Sequence, residues 1–393
     1  MTRPSRRRAR GAAAVLLAAG FAVLPATTSP AYADTIRARQ WGPDALHTDE
    51  AWRTTKGEGI TVAVLDTGVD AGHPDLEGSV LPGHDLIGFG ASRGDRAWAR
   101  HGTAMAGIIA GHGHGPGGGD GVLGIAPDVE ILPVRVILEG TDKSRDKARK
   151  TRGTALAEGI RWAADHGADV INLSLGDDSK SAHPDAGEDA AVQYALAKGV
   201  SVVASAGNGG EKGDHISYPA AYPGVIAVTA VDRYGTHASF STSRWYATVS
   251  APGVDIVIAD PDRRYYEGWG TSAAAAFVSG AVALVRAAHP DLTPAQIKRL
   301  LVDTARSRPK GGRSDAKGYG TVDPAAAIKA GARLKAGDPK NAVAGYRGQY
   351  FGAGPVPIVE ESRPFGLLAP VAGGLGALLL LTAVVLRRAR HTP

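Results

Sequence analysis

The chain has 393 residues, of which 44 are basic and 39 acidic, and it contains 53 glycines but no cysteine. The absence of cysteine excludes disulfides, thiolate metal sites and a cysteine nucleophile. Setting aside eight arginines near the two termini leaves 36 basic against 39 acidic residues between positions 34 and 365. The positive charge therefore lies at the ends, and it gives no argument for nucleic-acid binding.

Residues 1–33 have the pattern of a signal peptide. Five arginines lie within the first ten positions, and an apolar stretch continues to Leu24. The segment closes on Ala31-Tyr32-Ala33, the small-residue pattern that precedes a signal-peptidase cut. We expect the mature chain to begin at Asp34 and to lie outside the cytoplasm.

Residues 34–58 form an N-terminal extension before the first predicted strand. So short a segment cannot fold alone, since domains below about 40 residues usually need disulfides, a metal or a partner. It nevertheless carries large apolar side chains, among them Trp41, Leu46 and Trp52, which argue against disorder. We expect it to pack along the next domain as a permanent structural wrap.

Residues 59–335 alternate apolar, strand-like runs with helical stretches. The predicted strands cover residues 60–65, 129–137, 169–175, 200–204 and 225–231. This alternation predicts an α/β fold of three layers, with a mainly parallel sheet between helices. The last predicted helix of this region has a clear start, because Thr293 can cap it, Pro294 follows, and Gln296 lies three residues on.

Two polar residues follow features that suit catalysis. Asp66 ends the apolar run TVAVLD, which places its carboxylate at the carboxyl end of a buried strand, where open α/β sheets have their ligand sites. His101 opens the segment HGTAMAGIIAG, whose small and apolar residues predict a helix. A histidine can act as a base near neutral pH, and a carboxylate can fix its tautomer and stabilise its charged form.

A serine and an asparagine complete the set. Ser272 lies in GTSAAAAFVSG, at the start of a predicted helix whose free N–H groups favour a developing negative charge. Asn208 follows another buried strand in SVVASAGNGG. Taken singly, these residues also have ordinary structural roles as a helix cap and a loop residue. Together with a base, however, a serine hydroxyl becomes a competent nucleophile.

The order Asp, His, Ser and the motifs around these residues resemble the subtilisin-like serine proteases, or subtilases. The resemblance implies a serine endopeptidase that acts through an acyl-enzyme, with Asp66, His101 and Ser272 as the triad and Asn208 as a donor to the oxyanion. It further implies that VINLSLG and the segment before Asn208 bind an extended polypeptide substrate. The substrate-binding residues would be Ser174, Leu175, Gly176, Ala206 and Gly207.

Several expectations accompany this interpretation. We expect no cofactor and no metal in the site; a structural calcium ion would fit the family, but no residue pattern indicates one. The charged run 139–152 predicts a solvated loop. Two alternatives remain open. One is a weakly active or inactive relative that binds peptide as a structural component of a secretion complex, and the other is an esterase with the same acyl-transfer residues.

The C-terminal region predicts a membrane anchor. Residues 336–365 have scattered Gly and Pro and little periodicity, which is typical of a linker or stalk. Residues 366–386 are uncharged and, as a helix of about 31 Å, match a hydrocarbon core of roughly 30 Å. The basic tail 387–393 carries three arginines, which place it in the cytoplasm and argue against a GPI signal.

This layout of signal peptide, catalytic domain and single C-terminal transmembrane helix resembles the mycosins, the membrane-anchored subtilases of type VII secretion. The resemblance implies a single-pass protein of the cell membrane, with its catalytic domain extracytoplasmic and associated with a type VII secretion membrane complex.

Overall fold

The computed structural model describes residues 35–335. The predictions of a signal peptide at 1–33, a linker at 336–365, a transmembrane helix at 366–386 and a basic tail at 387–393 lie outside the described residues.

A seven-stranded parallel sheet forms the centre of the domain. The strands are β1 (Thr61–Asp66), β2 (His84–Asp85), β3 (His112–His114), β4 (Asp120–Leu123), β5 (Glu130–Arg135), β6 (Val170–Leu173), β7 (Ser201–Ser205), β8 (Ile226–Val231), β9 (Ala247–Pro252), β10 (Ile256–Ala259) and β11 (Tyr265–Gly268). The sheet has the order β2-β5-β1-β6-β7-β8-β9, and every pairing in it is parallel. Two antiparallel pairs, β3 with β4 and β10 with β11, lie outside it. The predicted mainly parallel sheet is confirmed.

Ten α-helices and one short 3₁₀ helix (Pro116–Gly118) accompany these strands in the part of the chain that the structure describes. They are α1 (Thr35–Arg39), α2 (Gly42–Ala45), α3 (Thr48–Trp52), α4 (Arg100–Ala110), α5 (Arg145–Thr151), α6 (Ala155–Asp165), α7 (Ala186–Ala197), α8 (Thr271–Ala288), α9 (Pro294–Thr304) and α10 (Pro324–Gly331). Helix α9 begins as predicted, because the Thr293 hydroxyl accepts from Gln296 N while the Gln296 side chain accepts from Thr293 N. The prediction of a loop over 139–152 was wrong in part. Its good helix formers, arginine, lysine and alanine, build α5 and bury Ala148.

Helices cover both faces of the sheet and create two hydrophobic cores. Helices α4 and α8 pack on one face, and α6 and α7 pack on the other. Strand β1 supplies both cores, since Val62 and Val64 join the first while Ala63 and Leu65 join the second. A strand buried on both faces needs a continuous apolar run, which is the pattern of this segment.

Helix α8 is the central helix of the domain. Among the helices within residues 35–335, it is the one whose length and apolar composition would suffice to cross a membrane. It is mostly buried, however, and packs against five strands, β1 and β6 to β9, and against α4. It is therefore a core helix.

The strand order reverses at β1. This strand pairs with β5 on one side and with β6 on the other, and the chain reaches β5 first. In parallel sheets, the carboxyl ends of the strands at such a reversal form the usual ligand site. Asp66 is the last residue of β1, and Ser174 directly follows β6.

The segment before β1 packs on the domain. Leu46 is fully buried, and the indoles of Trp41 and Trp52 donate to Val254 O at 3.1 Å and to Ile125 O at 2.8 Å. The expected contact between this extension and the rest of the domain is thus present, made by the large apolar side chains that suggested it.

Glycine 42 allows one very close approach in this segment. A Cβ built on Gly42 would lie 2.3 Å from Phe277 Cζ and 2.8 Å from Phe277 Cε1, far inside a real carbon contact. The segment therefore lies directly against α8, five positions beyond Ser272.

Candidate active site

Asp66 and His101 are in direct contact. His101 is the second residue of α4, and its Nδ1 lies 2.9 Å from Asp66 Oδ1 and 2.8 Å from Asp66 Oδ2. Asp66 is fully buried, and its Oδ1 also accepts from Thr67 N at 2.7 Å. The imidazole keeps 36% of its side chain exposed, so the pair is fixed on one side and open on the other.

The carboxylate changes the proton affinity of the imidazole. Burial alone would lower the pKa of His101, but the charge and hydrogen bond of Asp66, with a smaller contribution from Glu139, outweigh it and raise the pKa above its ordinary value. The site therefore favours the imidazolium that forms when this histidine takes a proton.

A glycine permits the contact between α4 and β1. A Cβ built on Gly102 would lie 2.0 Å from Gly68 O and 3.2 Å from Asp66 Cβ. No side chain fits in that space, so the residue after His101 must be glycine for the first turn of α4 to lie against the end of β1.

Ser272 is the second residue of α8 and is joined to the end of β6. Its Oγ donates to Ser174 O at 3.0 Å, and Ser174 Oγ donates to Ser272 O at 2.8 Å. The β1–β6 register pairs Val64 with Asn172, and continuing it by two residues brings Ser174 beside Asp66. The structure thus brings the serine to the same sheet edge as the Asp66–His101 pair. Its hydroxyl contacts a carbonyl rather than the imidazole, and catalytic hydrogen bonds often form only once substrate is bound.

Asn208 lies beside the start of α8, and hydrogen bonds from Thr271 fix the orientation of its side-chain amide. Its Oδ1 accepts from Thr271 N at 2.9 Å and from Thr271 Oγ1 at 3.0 Å, while Asn208 N donates to Asp178 Oδ2 at 2.8 Å. A Cβ built on Gly270 would lie 3.7 Å from both Asn208 Nδ2 and Ser272 N. Asn208 Nδ2 and Ser272 N therefore both lie near one position beside Gly270, and two such donors are the groups that an oxyanion site requires.

The predicted substrate-binding residues fall into two groups. Ser174, Leu175 and Gly176 continue past β6, and Gly176 is exposed; a Cβ there would lie 2.8 Å from Ser217 Oγ.

The second group, Ala206 and Gly207, is buried beyond the end of β7. Ala206 N donates to Val228 O at 2.9 Å, Ala206 O accepts from Tyr246 Oη at 2.9 Å, and Gly207 O accepts from Thr242 N at 3.0 Å. These two residues can form a wall of a substrate cleft. The backbone N–H and C=O of Ala206, however, already have hydrogen-bond partners within the protein.

Two features of the described residues bear on metal binding. Within residues 35–335, no three or more His, Cys, Asp or Glu side chains are grouped to hold a metal ion. The carbonyl oxygens of Gly118, Asp120 and Gly121 do converge, and calcium prefers oxygen ligands of this kind. They accept hydrogen bonds from the Arg37 guanidinium, at 3.0, 3.4 and 3.2 Å. A cationic side chain of the N-terminal segment thus occupies this cradle.

Sequence reasoning missed two polar residues of the site. Glu139 Oε1 accepts from His101 N at 2.7 Å and from Thr67 Oγ1 at 2.8 Å. Thr67 directly follows Asp66, and a hydroxyl next to that carboxylate was a usable signal. Glu139 lies 38 positions from His101 inside a charged run, and nothing in the sequence distinguished it from its neighbours.

Comparison with known proteins agrees with this geometry. A thermophilic serine proteinase of Bacillus sp. (strain AK1) is 43% identical over 247 residues, which cover 63% of this chain and 57% of that relative. The chain thus spans little more than half of that relative's length. Among solved structures, MycP1 from Mycobacterium smegmatis has a TM-score of 0.63 and 32% identity, covering 78% of this chain and 86% of its own.

A second structure, the MycP3 protease from the type VII (ESX-3) secretion system, has a TM-score of 0.62 and 32% identity, covering 74% of this chain and 88% of its own. Residues 57–320 match the family model described as the subtilase family. That match includes all seven strands of the sheet and both helices that begin beside the site, and the chain therefore belongs to the subtilase family.

Proposed function

We propose that this protein is a serine endopeptidase. The observation that carries the proposal is the contact of a fully buried Asp66 with His101 Nδ1, at 2.8 and 2.9 Å, at the sheet edge where Ser272 lies in the first turn of α8. A carboxylate in this position fixes the imidazole with Nε2 free to take a proton, and a nearby serine supplies the nucleophile.

In the first half of the reaction, Ser272 Oγ bonds to the peptide carbonyl carbon while His101 Nε2 takes the hydroxyl proton. The carbonyl electron pair moves to its oxygen, which Asn208 Nδ2 and Ser272 N–H bind. Collapse of this intermediate breaks the C–N bond, and His101 gives the proton to the leaving amine. In the second half, His101 deprotonates a water that attacks the acyl carbon, the acyl C–Oγ bond breaks, and His101 returns the proton to Ser272 Oγ.

The substrate is an extended polypeptide. Residues 174–176 lie past the end of β6, and the exposed Gly176 presents backbone without a side chain, which suits pairing with another strand. Ala206 and Gly207 are buried beyond the end of β7 and support the wall that faces this backbone.

A fluorophosphonate probe with paired peptide and ester substrates tests the proposal. We expect wild-type protein to be labelled and to cleave both substrates, and Ser272→Ala to do neither. Peptide binding without labelling would support a structural component instead of an enzyme. Cleavage of esters alone would support the esterase alternative.

We further propose that the protein is anchored on the outer face of the cytoplasmic membrane through residues 366–386. Support comes from the uncharged composition of this stretch and from the three arginines that follow it. A tag after Pro393 should be protected from protease added to intact cells, whereas truncation before Gly366 should release active enzyme. A truncated protein that stays in the membrane fraction would contradict the anchor.

An association with type VII secretion is the last part of the proposal. It is supported by the likeness to MycP3, the protease from the type VII (ESX-3) secretion system. The test compares, by mass spectrometry, the proteins secreted by a deletion strain and by strains complemented with wild type or with Ser272→Ala. We expect the secreted proteins to differ among these strains. An unchanged secretome in the deletion strain would contradict this part.

A further inference from the structure

We propose that Glu139 is a positioning residue of the active site, a second carboxylate that fixes the backbone on both sides of the Asp66–His101 pair and stabilises the imidazolium through space. The inference rests on the proposed function for its catalytic meaning, and its geometry stands independently.

One carboxylate oxygen links the segments that carry the two triad members. Glu139 Oε1 accepts from His101 N at 2.7 Å and from Thr67 Oγ1 at 2.8 Å. Thr67 in turn donates from its backbone to Asp66 Oδ1 at 2.7 Å, and its hydroxyl accepts from Gly102 N at 3.1 Å. A continuous hydrogen-bonded chain therefore joins Asp66, Thr67, Glu139 and the backbone of His101.

The start of α4 explains why such a link is needed. Helices leave their first N–H groups without partners, and an N-cap side chain usually accepts from one of them. Here the N-cap position is Ala99, which has no side-chain acceptor and a left-handed backbone with φ of 54°. The N–H groups of His101 and Gly102 instead bond to Glu139 and Thr67, which come from outside the helix. A negative charge at this helix terminus is also favourable.

Charged groups reach His101 from four directions. Asp66 comes from the end of β1 and Glu139 from the segment after β5. Both raise the pKa of the imidazole, against the opposing effect of burial, which lowers it. Arg145 of α5 acts in the opposite direction. Arg100, the residue before His101, forms an ion pair with Asp260. Glu139 is therefore the one carboxylate besides Asp66 that both acts on the imidazole and bonds to its residue.

Three variants separate the charge of Glu139 from its hydrogen bonds. Glu139→Gln keeps an oxygen acceptor but removes the charge, Glu139→Asp keeps the charge on a shorter side chain, and Glu139→Ala removes both. Glu130→Gln is the matched control, because Glu130 is an exposed carboxylate at the opposite end of β5.

The experiment is an NMR titration of the His101 ring protons in each variant, together with the pH profile of kcat/KM. We expect Glu139→Gln to lower the titration midpoint and the acid limb together, while Glu130→Gln and Glu139→Asp keep both near wild type. Glu139→Ala should also lower kcat, by about tenfold, a loss of about 1.4 kcal/mol that is typical of one hydrogen bond to a charged group.

The NMR midpoint needs no activity, so it tests this inference even if the peptidase proposal fails. An unchanged midpoint in Glu139→Gln would overturn the electrostatic role. An equal fall in Glu139→Asp would show that general disruption is responsible, and this outcome would also overturn it. A wild-type kcat in Glu139→Ala would overturn the positioning role.

Discussion

The two halves of the active site consist of different kinds of chemical group. The half around His101 is charged and held by hydrogen bonds, since the carboxylates of Asp66 and Glu139 contact this residue from two separate segments. The half around Ser272 is neutral and made mostly of backbone, with the hydroxyl on a carbonyl oxygen and Gly270 leaving room beside it. A base must hold its proton in one tautomer, whereas a nucleophile must turn and make space for a new oxyanion.

The largest effect should come from removing the nucleophile. Ser272→Ala should lower kcat by about 10⁶, the scale of this loss in subtilisin, because the triad acts as a unit. The fold should be kept, since the next four positions of α8 are already alanine. Turnover and fluorophosphonate labelling measure the effect, with thermal unfolding as the control. Labelling equal to that of wild type would show that Ser272 is not the nucleophile.

Breaking the charged half should cost somewhat less. Asp66→Asn should lower kcat by about 10⁴, because an amide can donate to Nδ1 and select the wrong tautomer. The raised pKa of His101 also predicts an acid limb of kcat/KM above the ordinary histidine value, since the base must be neutral to act. Asp66→Asn should move that limb to lower pH. A limb that stays in place would show that Asp66 does not set the proton affinity of His101.

The neutral half should tolerate change better at Asn208. Asn208→Ala should keep labelling but lower kcat by about 10²–10³, the usual cost of one oxyanion donor. Thr271→Val is the control, because it removes one of the two hydrogen bonds to Asn208 Oδ1 and keeps the Thr271 N–H donor. We expect the control to stay within a few-fold of wild type in a peptide assay. Equal losses in the two variants would mean that Asn208 acts only by supporting α8.

The smallest expected effect is a change in the free energy of unfolding, and it concerns Thr67 in the charged half. Thr67→Val leaves the buried N–H of Gly102 without its acceptor, which should lower the free energy of unfolding by about 1–3 kcal/mol. Thr67→Ser keeps the hydroxyl and should stay close to wild type. Chemical denaturation measures both. If the valine variant is as stable as wild type, the tie between α4 and the end of β1 has no energetic value.

Much of the fold and of the site was predictable because the signals were local. The apolar run before Asp66 marked β1, and the pattern from Thr293 to Gln296 marked the start of α9. His101 and Ser272 were found because each lies in a short motif of small residues at a helix start. Local pattern was enough wherever one segment determined its own structure.

The role of Glu139 could not be predicted in this way. Its partners are Thr67 and the backbone of His101. These contacts exist only because β5 pairs with β1, so that the segment after β5 lies at the same sheet edge as the end of β1. Strand β9 was missed for another reason, since its residues ATVSAP are small and lack a strong apolar run. Contacts made by register and crossover have no signature in one segment alone.

The close approach of Gly42 to Phe277 links two distant positions over evolutionary time. With the Phe277 ring in its present position, a Cβ at position 42 would overlap it. We expect a side chain at 42 to be tolerated best where the aromatic ring at 277 has moved or has been replaced by something smaller. Substitutions at the two positions should therefore be coupled among descendants of this chain, which links the extension before β1 to the helix that carries Ser272.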